Sequence, residues 1–334
     1  MTRRINRACP ECGDKVPAEA VDRRGFLRVA GGAAAALTLA RLPAWAQEKP
    51  TDSSNKKAED LIKELHAGLS EDQKKSVVLP HASPDRLKIY NKALNKPIGE
   101  SYTKPQQELV GRILRSICAD EEGWRLISRG GTWDGTKAFE NCGANIFGDP
   151  SGKYTWVFTG HHLTIRCDGD TEEGVAFGGP LYYGHSPNGY SAKNLFNYQT
   201  KGALAVFDAL TEAQRKQAVV EGTPGEGLPS VKFRAAGEAK PGIAFGELTK
   251  EQKSLVEKVM RDVLSPYRKQ DADEVLTVIK GQGGLEKIHL AFYQDKDADA
   301  KEPWHFWRLE GPGFVWNYRV LPHVHTYVSV SSKA

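Results

Sequence analysis

Two hydrophobic rhythms alternate along the chain. From Ala58 to about Ile127, apolar residues recur at helical spacing, as in Ala58-Glu59-Asp60-Leu61-Ile62-Lys63-Glu64-Leu65 and again from Leu109 to Cys118, and predict helices. From Asn141 to Tyr183 and from Ile288 to Val330 the chain is aromatic, β-branched and cut by Gly/Pro turns, which predicts strands and hairpins. Three helix starts carry the same punctuation: Leu69-Ser70-Glu71-Asp72-Gln73, Leu210-Thr211-Glu212-Ala213-Gln214 and Leu248-Thr249-Lys250-Glu251-Gln252. Ser or Thr followed three residues later by Gln is a capping box, in which each side chain satisfies a free amide of the first turn, and the preceding Leu suits a hydrophobic staple.

The two strand regions can be laid side by side. Ile146-Phe147-Gly148-Asp149-Pro150 leads to Trp156-Val157-Phe158-Thr159-Gly160 and then Leu163-Thr164-Ile165-Arg166; Phe292-Tyr293-Gln294-Asp295 leads to Trp307-Arg308-Leu309-Glu310-Gly311 and then Phe314-Val315-Trp316-Asn317. Helices precede both. The expected fold is therefore α+β, with helices packed around antiparallel sheet and an internal duplication of a helix pair plus a three-strand meander. In such a meander Cys142 and Cys167 start the first strand and end the third, too far apart for a disulfide.

Composition adds an address rather than a chemistry. Arg23-Arg24 stands just before a weakly apolar run, Val29 to Leu42, and Ala44-Trp45-Ala46 offers a small-x-small cleavage site. Residues 1–46 thus read as a cleaved twin-arginine signal peptide, which implies passage through the twin-arginine export machinery to the periplasm or exterior; 47–57 read as a linker and 58–334 as a single α+β domain. The apolar run is too short for a stable membrane span. Eight of the 46 Lys/Arg and four of the 42 Asp/Glu fall in residues 1–46, leaving 38 of each, so the remainder is formally neutral. That gives no net basic field for nucleic acid. Cys9-Pro10-Glu11-Cys12 is half a zinc ribbon with no second half, inside the removable segment.

Several phrases, in order, carry a resemblance: Asn145-Ile146-Phe147-Gly148-Asp149-Pro150, Trp156, Thr159-Gly160-His161-His162-Leu163, Gly179-Pro180, Arg308-Leu309-Glu310-Gly311-Pro312 and His323-Val324-His325-Thr326. The chain resembles the bacterial family called domain of unknown function 3500 from about Ala58 to Thr326. The family name implies no established activity. Its members commonly carry an acid in the strand after the Gly-Pro, where this chain reads Phe314-Val315-Trp316-Asn317-Tyr318; if that acid belongs to a site, the chemistry here is altered. By the same resemblance, the end soon after His325 suggests a shortened member.

Histidine is the candidate chemistry. His323 and His325 alternate on a predicted strand, so both imidazoles leave one face with roughly 7 Å of backbone between them, and can converge on one metal. His161 and His162 are adjacent, so on a strand they point to opposite faces and one of them joins the site; Gly160 allows a bend that relaxes this. The duplication would bring the two pairs together near a pseudo-twofold axis. His185 is a loop candidate for a further ligand or proton carrier. Arg308, with Arg166 as an alternative, could pair with an anionic substrate, and Trp156 is a second substrate-contact candidate. Gly-x-Ser-x-Gly, phosphate-cradling and dinucleotide motifs are absent, which argues against a nucleotide cofactor. The expectation is an exported metalloprotein holding Zn, Cu or Fe, an oxidase or hydrolase acting on a small molecule. The alternative is a metal-free periplasmic protein that binds a small-molecule ligand.

Overall fold

Helix comes first, as the apolar spacing requires. In the computed structural model, which describes residues 57–235, 237–294 and 302–333, α1 (Ala58–Ala67) and α2 (Glu71–Val77) run into a two-residue strand β1 (Val78–Leu79). The expected signal segment (residues 1–46), Cys9 and Cys12, and nearly all of the expected 47–57 linker lie outside the described residues. Helices α3 (Lys104–Ile117) and α4 (Glu121–Ser128) follow, then four strands: β2 (Gly143–Gly148), β3 (Tyr154–Gly160), β4 (Leu163–Cys167) and β5 (Leu181–His185).

The second half repeats this plan. Helix α5 (Asn197–Ala209) precedes α6 (Glu212–Ala218), which runs into β6 (Val219–Glu221). A two-residue β7 (Ile243–Ala244) leads to α7 (Lys250–Leu264) and α8 (Lys269–Gly281), then to β8 (His289–Gln294), β9 (Phe306–Gly311), β10 (Phe314–Arg319) and β11 (Val324–Val330). The strand order, β1-β2-β3-β4-β5-β11-β10-β9-β8-β6, is the same connection read from both edges, with β7 as an extra strand on β8. In each half the edge strand pairs in parallel with the first strand of the meander, β1 with β2 and β6 with β8. Antiparallel pairing of β5 with β11 joins the halves. Each half therefore contributes four antiparallel strands rather than three, and the sheet is mixed at its edges.

The capping boxes explain why the halves start alike. Gln73 accepts the Ser70 N–H at 3.0 Å, and its amide donates to Ser101 O and to Gln106 Oε1. Gln214 accepts the Thr211 N–H at 3.0 Å and donates to Glu247 O and Gln252 Oε1. Gln106 and Gln252 cap their own helices by accepting from Thr103 and Thr249, and donate back to Gly68 O and Ala209 O. Two helix starts are thus welded through a pair of glutamines in each half. The Thr103 box lacks the preceding Leu and escapes the sequence pattern.

Alternation along the strands gives the sheet two unlike faces. Ile146, Trp156, Phe158, Ile165, Tyr183, Trp307, Leu309, Trp316 and Val328 are buried on one of them. Helices cover it: Tyr183 Oη donates to Val263 O of α7, and Thr200 of α5 bonds Tyr318 Oη at 2.7 Å. The other face carries Thr155, Thr159, Thr164, Arg166, Arg308, Asn317, Arg319, His325 and Tyr327, all buried as well. Buried polar groups need partners, and loops supply them. Thr164 and Thr159 accept the N–H groups of Tyr90 and Leu94, while Arg308 and Asn317 donate to Ser230 O and Gly225 O. Cys118, Cys142 and Cys167 are buried free thiols. No helix among the described residues is long and apolar enough to cross a membrane.

Candidate metal centre

His323 and His325 flank the first residue of β11, so their rings leave the same side of the chain. His325 lies opposite Gly184 on β5 and Arg319 on β10. Gly184 makes the room for it: a Cβ there would stand 3.1 Å from His325 Cδ2 and 2.2 Å from Val324 O. The seam between the two halves is therefore where the imidazoles collect.

His162 reaches that seam from the first half. The expectation that His161 and His162 point to opposite faces fails because neither belongs to a strand. They form the two-residue turn between β3 and β4, closed by the Gly160–Leu163 pair. His162 has a left-handed φ of 54°, and the two ring centroids are only 3.8 Å apart. Asn91 Oδ1 accepts the His162 N–H at 2.6 Å, and the buried Arg129 guanidinium donates to His162 O and to Gly184 O, so the turn is held from both sides.

The three imidazoles converge through Nε2. His323 Nε2 lies 3.0 Å from His162 Nε2 and 3.0 Å from His325 Nε2. All three residues are buried. Nitrogens at this spacing can share one ion, because metal–imidazole bonds of about 2.0–2.1 Å span N···N distances up to roughly 4 Å. The far side of two rings is anchored by carboxylates: His162 Nδ1 donates to Asp134 Oδ2 at 2.7 Å, and His325 Nδ1 to Glu226 Oε1 at 2.8 Å. Each carboxylate fixes the Nδ1–H tautomer and turns the Nε2 lone pair inward, as outer partners of metal-binding histidines do.

Electrostatics keep those lone pairs available. Burial pushes the His162 imidazole down to about 3, despite the opposing pull of Asp134. Burial, with the Arg319 charge and the neighbouring imidazoles, also pushes His325 well below the ordinary histidine range. Burial alone would raise Asp134, but contacts from His162 and His185 and the Arg129 charge hold it well below the usual carboxylate range. His162 and His325 are thus kept neutral, and Asp134 behind His162 is kept ionised. His162, His323 and His325 form a group that could hold a metal ion, and so, at lower burial, do Asp134, His161 and His162.

The other expected residues divide. His161 Nδ1 accepts the Gly135 N–H at 3.0 Å, which ties that nitrogen to the backbone. His185 stands 3.6 Å from Asp134 Oδ2, beside the cluster rather than in the three-imidazole group. Trp156, expected as a substrate contact, is a fully buried core residue on the helix-covered face, away from the imidazoles. The guanidinium of Arg308, expected to pair with an anionic substrate, is held by Glu310 at 3.0 Å and donates to Ser230 O. Arg166 donates to the carbonyls of Arg86, Lys88 and Pro180 and ties a loop to β4.

Sequence reasoning missed Asp134, Glu226, Arg319, Arg129 and Asn91. Asp134 lies in a turn where Trp133, Asp134 and Lys137 all have positive φ, a concentration of non-glycine strain typical of functional loops. Glu226 hides in Gly222-Thr-Pro-Gly-Glu-Gly227, which reads only as loop. Asn317 donates to Gly225 O and so holds the loop that presents Glu226. Arg319 faces His325 across the β10–β11 ladder, a pairing visible only once the register is known.

No curated protein and no solved structure matches the chain. One family model does, over residues 50–330, described as "Protein of unknown function (DUF3500)". With this match spanning most of its length, the chain belongs to the DUF3500 family.

Proposed function

We propose that His162, His323 and His325 hold one divalent transition-metal ion through Nε2, and that the protein is an exported metal-dependent enzyme, a hydrolase or an oxidase. The observation that carries this reading is the convergence of three buried imidazoles, with His323 Nε2 3.0 Å from each of the other two Nε2 atoms and two of the rings fixed from behind by Asp134 and Glu226. Without an ion, a proton on His323 Nε2 can serve one neighbouring lone pair while Arg319 Nη2 serves that of His325; a cation at the meeting point would serve all three at once. All-imidazole sets suit Zn, Cu or Fe. When bound, such an ion would supply Lewis acidity or an activated water.

The chain's own groups then have separable tasks. Asp134 and Glu226 raise the basicity of the rings they hold. His161, whose Nδ1 takes the Gly135 N–H, carries its neutral-state proton on Nε2 and is the group suited to deliver it.

Elemental analysis of protein recovered from the periplasm tests this. The expected result is about one Zn, Cu or Fe per chain, lost in His323→Ala. Protein with no stoichiometric ion would overturn the metal reading and favour a metal-free binding protein. Replacing Arg23 and Arg24 together by Lys should retain the protein in the cytoplasm; unchanged export would refute the twin-arginine route.

A further inference from the structure

Arg319 occupies an unusual place for a cation beside a metal centre. Its Nη2 donates at 2.7 Å to His325 Nε2, the lone pair that an ion would take. Its Nη1 pairs with Glu226 at 2.5 Å, and its Nε donates to His323 O at 3.2 Å. The guanidinium is buried, and an ion taking the His325 Nε2 lone pair would have to displace Nη2 from it while Glu226 and His323 O still hold Nη1 and Nε.

The charges make the consequence definite. Asp134 and Glu226 contribute two negative charges against the cluster, and Arg129 and Arg319 two positive ones. A divalent ion adds two positive charges at a buried point, where uncompensated charge is costly. Resting on the metal reading above, we propose that Arg319 recognises an oxyanion, a carboxylate or phosphate of the substrate, which joins the ion and the Nη2 N–H. Arg suits this because its planar fork can keep Glu226 on one nitrogen while offering the other.

The test uses full-length protein stripped by chelation and reloaded with Co(II), whose visible absorption reports changes in its ligands. Acetate and phosphate are titrated separately into wild type, Arg319→Gln and Arg319→Lys; whichever binds more tightly identifies the oxyanion. Arg319→Gln should weaken anion binding by about tenfold or more. It should leave Co(II) affinity unchanged or raised, because a competitor for His325 and a nearby positive charge are both gone. Arg319→Lys should fall between. Unchanged anion affinity in Arg319→Gln, or loss of Co(II) and anion affinity together, overturns the proposal. Wild type that takes up no Co(II) overturns the metal reading itself, and this inference with it.

Should Arg319→Gln fail to fold, Arg319→Lys decides, since its anion affinity must be weaker than wild type and equal affinity overturns the proposal; the metal dependence is then read on wild type. Acetate or phosphate should raise its thermal midpoint with Co(II) bound and not after stripping, by binding linkage. Equal stabilisation of both forms overturns the proposal.

Discussion

In the first half, β3 turns into β4 through Gly160-His161-His162-Leu163; in the second, the matching turn from β9 to β10 is Gly311-Pro312-Gly313-Phe314. One turn delivers an imidazole and the other a positive-φ glycine, Gly313. At the seam the inequality reverses: β11 supplies His325, and β5 supplies Gly184 opposite it. The carboxylates come from non-equivalent loops, Asp134 between α4 and β2 and Glu226 between β6 and β7. The repeated frame is set by backbone requirements that both halves share, namely capped helix starts and ladder pairing. The chemistry lies where the repeat is broken, in turns and at a strand end, because substitutions there leave the ladders intact.

The sharpest way to break the comparison is to remove one anchoring carboxylate at a time. Asp134→Asn and Glu226→Gln should each lower metal affinity by about 10–100-fold, the usual cost of losing an outer partner. Stability should separate them. Glu226→Gln strips the buried Arg319 of its charged partner and should cost about 3 kcal/mol. Asp134→Asn should cost less, because Arg129 remains bonded to the carbonyls of Ile127, His162 and Gly184. Equilibrium denaturation of metal-stripped protein measures the difference; equal losses would mean that the two anchors are energetically equivalent.

Acidification probes the imidazoles of both halves together. His162 is held near 3 when folded against 6.5 when unfolded, and His325 is shifted in the same direction. Above pH 6.5 both states are neutral and pH has no effect through these groups. Below it the unfolded chain takes up protons that the folded one refuses, so stability falls as pH drops from 6.5 towards 3, by up to roughly 1.4 kcal/mol per pH unit for each ring. Denaturant midpoints of stripped protein at pH 7, 6 and 5 should fall progressively. In His162→Ala the slope should shrink, and an unchanged slope would show that this ring is not kept neutral by the fold.

Much of this frame could be read from the chain and much of the site could not, for a physical reason. Helix periodicity, strand composition and capping boxes are local, and they located both helical regions, both strand regions and the repeat. The same-face placement of His323 and His325 also follows from local alternation. What joins His162 to them is a left-handed turn and the β5–β11 pairing, and what fixes their tautomers is two loop carboxylates 28 and 99 residues away in sequence. Such long-range contacts leave no periodic trace. The strand partners β1 and β6 were invisible because two or three residues carry no pattern.

The seam itself can be tested at Gly184. A methyl group there meets the Val324 carbonyl, which is backbone and can yield only if the β5–β11 pairing shifts. Gly184→Ala should cost about 1–3 kcal/mol, the range for overpacking. It should also reduce metal occupancy by displacing His325. Full occupancy at reduced stability would show that the rings tolerate movement of the seam.

The smallest expected effect bears most directly on whether the frame is repeated in energy as well as in shape. Gln73 and Gln214 each accept one helix-start N–H and donate to one carbonyl and one partner glutamine, with matching half-burial. Gln73→Ala and Gln214→Ala should therefore each cost about 1 kcal/mol, the usual worth of a capping interaction, and their costs should agree within a few tenths. Their double mutant should be additive, since the welds lie in different halves and share no partner. A much larger loss in one half would mean that this weld supports more than its own helix start. The second half, which supplies two of the three converging histidines, is where that excess would be expected, and elemental analysis of Gln214→Ala would show whether the strain reaches the site.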